Sequence, residues 1–119
     1  MHEIRYYETT EGNSPVKKFY DELISKHKDQ ALAIIRIYEK KLEEHGMQIN
    51  QKFKPNAIKL IDDGIYELRP GDNRILFFSV VGDKFIFLHA FEKKTNKTPD
   101  KDKDIAKKRR KELKMRGVI

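Results

Sequence analysis

The chain contains no cysteine in its 119 residues. That absence excludes a disulfide framework, a thiolate nucleophile and a Cys-ligated zinc. Long hydrophobic runs are missing too, and none approaches the ~20 apolar residues that a bilayer-spanning helix needs. The first residues, Met1-His2-Glu3-Ile4-Arg5, lack the basic and then apolar layout of a secretory signal, so a cytoplasmic protein is expected. Histidine is scarce. His2, His27 and His45 are dispersed without metal-ligand spacing, and neither a metal nor a cofactor is expected.

What is present is charge. Hydrophobic and charged residues each make up 38% of the chain, and the hydrophobic ones cluster, which favours a folded domain over disorder. The length suits a single domain over residues 1–119 with one modest core. The net charge is +7, but its location says more than its size. Residues 93–119 hold 12 Lys/Arg against 4 Asp/Glu, whereas residues 1–92 hold 14 against 15. All of the excess positive charge therefore lies in the last quarter. Such a segment is either a solvated basic tail or an electrostatic footprint for a polyanion, RNA or an acidic partner protein.

The periodicity divides the chain into an α-rich first half and a β-rich second half. His2 to Thr9 reads as a strand. Ser14-Pro15 is a helix start, with an N-cap hydroxyl followed by proline at the first helical position. Val16, Phe19, Tyr20, Leu23, Ile24 and His27 then recur at helical spacing. A second helix begins near Asp29 and ends at Gly46, placed for a C′ glycine, and the short link implies a helical hairpin. Four short runs follow, Ile58 to Ile61, Ile65 to Arg69, Arg74 to Val81 and Lys84 to Glu92, separated by Gly-, Asp- and Pro-containing turns, which is the pattern of a β-meander. A basic helix from about Asp100 to Met115 closes the chain. Ile105, Ala106 and Leu113 are few for a packing face, so a loosely docked helix is expected. The fold class is thus α+β, an N-terminal strand and helical hairpin packed on an antiparallel sheet.

A two-residue hairpin loop at Gly82-Asp83 would pair Val81 with Lys84. Counting outward places Leu76 opposite His89, Arg74 opposite Phe91 and Asp72 opposite Lys93. Arg74, His89 and Lys93 then share one face with Phe78, Phe85 and Phe87, because side chains alternate along a strand. Pairing Arg69 with Arg74 adds Arg69 and Glu67 to it. The other face carries Leu68, Ile75, Phe77, Leu88 and Ala90. Clustered cations repel unless an anion lies between them. Beside the Phe91 ring they suit a phosphate and base platform.

The string Ile65-Tyr66-Glu67-Leu68-Arg69-Pro70-Gly71-Asp72-Asn73-Arg74-Ile75 resembles the central strand pair of the RelE/ParE toxin superfamily. Leu88-His89-Ala90-Phe91-Glu92-Lys93-Lys94-Thr95-Asn96-Lys97-Thr98-Pro99 is similar to its HigB-like, phage-derived branch, as is Glu11-Gly12-Asn13-Ser14-Pro15. The resemblance spans about Glu3 to Arg110. It implies a microbial-RNase-like fold, a cognate antitoxin (a HigA-like, DNA-binding protein) and cleavage of mRNA on the translating ribosome. By position it casts Arg74 as the arginine that stabilises the scissile phosphate, Lys93 or Lys94 as a second basic catalytic residue, and Arg69 as a cleft residue. The chain departs from some members in having no tyrosine after Tyr66, and in carrying Ile65 and Glu67 where they carry lysines.

Because RNA supplies its own nucleophile, the 2′-OH, such a protein needs only to position it, move protons and stabilise charge. His89 and Glu67 are the candidate bases; their plainer roles are a structural strand histidine and an ion-pair partner for the arginines. Lys94, Phe91, Lys97, Lys107, Lys108, Arg109 and Arg110 are candidate RNA-binding residues. A ParE-like inhibitor of DNA gyrase, or a catalytically silent partner-binding module, would fit the same composition.

Overall fold

The computed structural model describes residues 1–81 and 83–119. Strand β1 (Glu3–Tyr6) leads into helices α1 (Pro15–Ser25) and α2 (Asp29–His45). A 3₁₀ turn (Gly46–Gln48) and the one-turn α3 (Ile49–Lys52) follow, then strands β2 (Ile58–Asp62), β3 (Ile65–Leu68), β4 (Asn73–Val80) and β5 (Lys84–Glu92), and helix α4 (Asp100–Met115). The five strands form one sheet in the order β1-β5-β4-β3-β2. β2 to β5 are the expected antiparallel meander, whereas β1 pairs parallel to β5 and makes the sheet mixed.

Local chemistry explains the helix ends. Ser14 Oγ accepts from Lys17 N at 3.2 Å and Pro15 opens α1, satisfying a donor that the first turn leaves unpaired. Gly46 closes α2 at φ 57°, and a Cβ there would meet the His2 ring. Glu39, buried on α2, accepts from the hydroxyls of Tyr6 and Tyr20 at 2.7 Å each and from Arg36 at 2.9 Å. Those bonds tie β1, α1 and α2 together. Burial, reinforced by the hydrogen bond to Glu39, pushes both tyrosines up from the usual phenol range.

The helical hairpin covers one face of the sheet. Val16, Tyr20, Leu23, Ile35 and Leu42 pack there against Leu68, Ile75, Phe77, Phe85 and Phe87. The short 46–52 segment, which periodicity does not announce, adds the fully buried Ile49 to this core. α4 covers the opposite face, where Ala106 and Leu113 meet Ile65, Leu76, Phe78, Ile86 and Leu88. The result is three layers. β4 is consequently buried on both sides from Asn73 to Phe78, which is why Ile75-Leu76-Phe77-Phe78 reads as a continuous apolar run rather than an alternation.

The expectation of a loosely docked α4 is corrected. Its inward stripe is Asp102, Ala106, Arg109, Leu113 and Arg116, spaced at four, three, four and three residues. The polar members are anchors. Asp102 bonds His89 at 2.7 Å, Arg109 Nη1 donates to the Leu88 carbonyl at 2.8 Å, and Arg116 Nη1 donates to the Glu8 carbonyl at 2.7 Å. A search for apolar residues alone misses a face that is more than half polar.

At the outer edge, both the N–H and C=O of Ile58 on β2 are taken by the side-chain amide of Asn50, at 2.9 and 3.0 Å. Asn50 stands where a neighbouring strand would otherwise pair. Among the described residues, no helix is long and apolar enough to cross a membrane.

Candidate nucleic-acid interface

The β4–β5 register decides which side chains meet. Residue 82 lies outside the described residues, and with it half of the expected Gly82-Asp83 turn. Val80, not Val81, pairs with Lys84, so the loop is one residue longer than expected. The register then shifts between Leu76 and Phe77, where Leu88 is an extra residue on β5, a β-bulge. The two differences cancel beyond the bulge. Leu76 lies opposite His89 and Arg74 opposite Phe91, as expected, and Lys93 N donates to the Asp72 carbonyl at 2.8 Å. Between bulge and loop the faces of β5 are exchanged relative to expectation, while Phe77 and Phe78 on β4 keep the expected ones. Phe85 and Phe87 face the helical hairpin and Leu88 faces α4.

At the end of the sheet away from this loop, Glu67 is the centre of a charged cluster. Its Oε1 lies 3.5 Å from Arg69 Nε and 3.7 Å from Arg74 Nε. Its Oε2 accepts from Thr98 Oγ1 at 2.6 Å. Arg74 is 7% exposed, and its Nη1 donates to the carbonyls of Gly71 and Asn73 at 2.7 and 2.8 Å. Burial lowers its pKa, with Glu67 opposing that shift. Arg69 is the more open of the two, its side chain 26% exposed against 8% for Arg74. The Glu67–Thr98 bond pins the segment after β5 against β3, carrying Lys97 to the mouth of an open groove. That groove, about 390 Å³, runs beside β2 with Lys59, Arg69, Asn96, Lys97 and Lys103 on its walls and Glu67 in its floor.

Of the residues singled out in the sequence, Glu67, Arg69, Arg74 and Lys97 come together here, with Lys93 continuing the ladder that frames them. Lys94 is exposed beside it and Lys108 points to solvent from α4. The remainder are committed elsewhere. Arg109 turns inward to Leu88 and lies over the Tyr7 ring at 5.4 Å. Arg110 donates to the Asp63 carbonyl at 2.5 Å, and Lys107 pairs with Asp62 at 3.4 Å.

His89 is held beneath α4. Its Nε2 lies 2.7 Å from Asp102 Oδ1, its Nδ1 lies 3.5 Å from Arg109 Nη1, and its ring stacks on Phe91 at 5.5 Å between centroids. Burial lowers its pKa and outweighs the raising effect of Asp102. The neutral imidazole therefore donates from Nε2 to the carboxylate. A histidine with a depressed native pKa binds fewer protons folded than unfolded, so its contribution to stability is complete above the unfolded value of about 6.5 and is lost as pH falls below it. Thermal melts from pH 8 to pH 5 are expected to show this loss in the wild type and a smaller one in His89→Gln. Equal pH dependence in both would remove His89 as the cause.

Thr98, Asp102, Lys59 and Lys103 were not singled out from the sequence. Asp102 is one of two acidic residues in the first turn of α4, where any carboxylate suits the helix dipole, and only its place in the inward stripe marks it. Nothing local marks Thr98, because its partner is 31 residues away. Among the described residues, no three His, Cys, Asp or Glu side chains are grouped to hold a metal ion.

Residues 18–111 match the family model described as Phage derived protein Gp49-like (DUF891). The chain belongs to this Gp49-like family. The family is associated with toxins of the RelE and HigB types. The Gp49-like match runs from α1 into the last turns of α4 and so contains the whole Glu67–Arg69–Arg74 cluster, Thr98 and the groove. The α+β architecture agrees with a RelE-like fold. No curated protein matches the chain.

Proposed function

We propose that this Gp49-like chain is the HigB-like toxin of a toxin–antitoxin pair, an endoribonuclease that cleaves mRNA on the translating ribosome in the cytoplasm. One observation carries the reading: Arg69 and Arg74 share the buried Glu67 at the end of the sheet, beside an open groove walled by lysines. Arg69 faces the groove and would hold non-bridging phosphate oxygens through its planar fork. Arg74, with Nη1 spent on its own loop, fixes Glu67 from behind. Lys93 or Lys94 would add positive potential and protonate the leaving 5′-oxygen. Of the two candidate bases, Glu67 lines the groove and His89 does not, which favours Glu67 as the acceptor of the 2′-OH proton. This route needs no metal, since the nucleophile belongs to the RNA.

The outer face of α4, with Lys101, Lys107, Lys108, Lys111 and Lys114 exposed, suits ribosomal RNA or an acidic segment of a DNA-binding, HigA-like antitoxin. The test is expression with and without the product of the neighbouring gene, followed by mapping of mRNA 5′ ends. Growth arrest with new 5′ ends inside coding regions, relieved by co-expression, is the expected result. Arrest with intact mRNA and blocked DNA supercoiling would replace this reading with gyrase inhibition, and absence of arrest would leave a binding module.

A further inference from the structure

We infer that the groove between β2 and the 96–98 segment is a binding track for single-stranded RNA, in which Lys59 and Lys103 contact phosphates on either side of Arg69. The inference rests on the RNA reading above and names two residues which that reading does not use.

Three observations support it. The first is charge. Lys59 from β2, Arg69 from the end of β3, Lys97 from the segment after β5 and Lys103 from α4 line the groove. Glu67, the one carboxylate among its described lining residues, is already engaged at both oxygens by Arg69, Arg74 and Thr98. The groove therefore offers net positive potential that nothing inside it neutralises, and a polyanion gains by entering.

The second is the mixture of groups. The Asn96 amide can donate to and accept from a base edge or a ribose hydroxyl. Leu60, 55% exposed, offers an apolar surface for a base or sugar. The volume of about 390 Å³ falls at the small end of the roughly 300–1,000 Å³ typical of small-ligand sites, a scale that suits one strand at a time. The lining thus offers partners for the phosphate, the sugar and the base of a nucleotide.

The third is the state of the neighbouring strand edge. An extended acidic peptide would dock beside β2 by pairing with its backbone. At Ile58 both outward groups are already bonded to Asn50, so the ladder such a peptide needs is interrupted. RNA has no use for those groups.

The experiment follows a fluorescent 2′-O-methyl oligoribonucleotide by anisotropy. This probe lacks the attacking hydroxyl and is bound without being cut. The double variant Lys59→Gln/Lys103→Gln is expected to weaken binding about tenfold. It should also reduce the slope of log K against log salt by roughly 1.4, since each phosphate contact on a single strand is worth about 0.7. The control Lys26→Gln/Lys40→Gln makes the same charge change on exposed positions of the opposite layer and is expected to stay within about twofold of wild type. With cleavable RNA, the groove variant should raise KM and leave kcat in place. Equal affinity in wild type and groove variant overturns the inference, whether or not the chain cuts RNA. Displacement of the probe by polyglutamate at lower concentration than by unlabelled oligonucleotide also overturns it, by making the groove a protein site. Groove-dependent binding without any cleavage of natural RNA would keep the track and reject the nuclease.

Discussion

Arg69→Ala is expected to lower RNA cleavage by about 10²–10³-fold, the usual cost of removing one electrostatic donor from a developing charge, with little change in melting temperature. Arg74→Ala is expected to lose both activity and stability. The difference follows from where each guanidinium is spent. Arg69 is half-open and reaches the groove, so its removal takes positive charge from the position of the phosphate. Arg74 is buried, holds the carbonyls of Gly71 and Asn73, and flanks a carboxylate that is 3% exposed. Deleting one partner of a buried ion pair typically costs about 3–5 kcal/mol, because the other charge is left uncompensated. Arg74→Lys would keep the charge but not the two carbonyl contacts, and should recover only part of the loss. Cleavage assays together with thermal melts separate these outcomes. Wild-type cleavage by Arg69→Ala would remove that residue from the mechanism, and unchanged activity in Arg74→Ala would do the same for Arg74.

Ala106→Asp is expected to destabilise the protein by about 3–5 kcal/mol, from the burial of an unpaired carboxylate and the overpacking of a filled site. Ala106 is 0% exposed and sits where α4 meets Leu76 and Leu88. A domain has only about 5–15 kcal/mol of stability in all, so one such change would leave it marginal. Lys108→Asp, two residues on and facing solvent, should stay within about 0.5 kcal/mol. Urea unfolding of both variants tests whether α4 is an integral third layer. A loss below about 1 kcal/mol for Ala106→Asp would show that the helix contributes little to the core.

Much of the architecture was legible because it is written in local chemistry. The Ser14-Pro15 start, the Gly46 stop and the change from helical to strand spacing near Ile58 each act within a few residues of themselves. The layering was less legible. α4 packs through Asp102, Arg109 and Arg116 as much as through Ala106 and Leu113, and polar packing has no signature in hydrophobicity. The charged cluster was partly legible, because Arg69 and Arg74 flank a turn and Glu67 is two residues upstream. Its closure by Thr98 depends on a long-range contact and could not be read locally. The register at Arg74 was reached through an assumed turn that is one residue too short, corrected by a bulge that nothing in the sequence signals.

That bulge also separates the two ends of the hairpin. The loop between Val80 and Lys84 lies on the far side of Leu88 from Glu67 and Arg74, and Val81 at its tip is 99% exposed. A residue inserted at the tip lengthens the loop and leaves the ladder on both sides of the bulge in step. The hairpin therefore tolerates growth at this end without moving the charged one. Its tip is the natural attachment point for a label or a grafted peptide that must not disturb the charged end of the sheet.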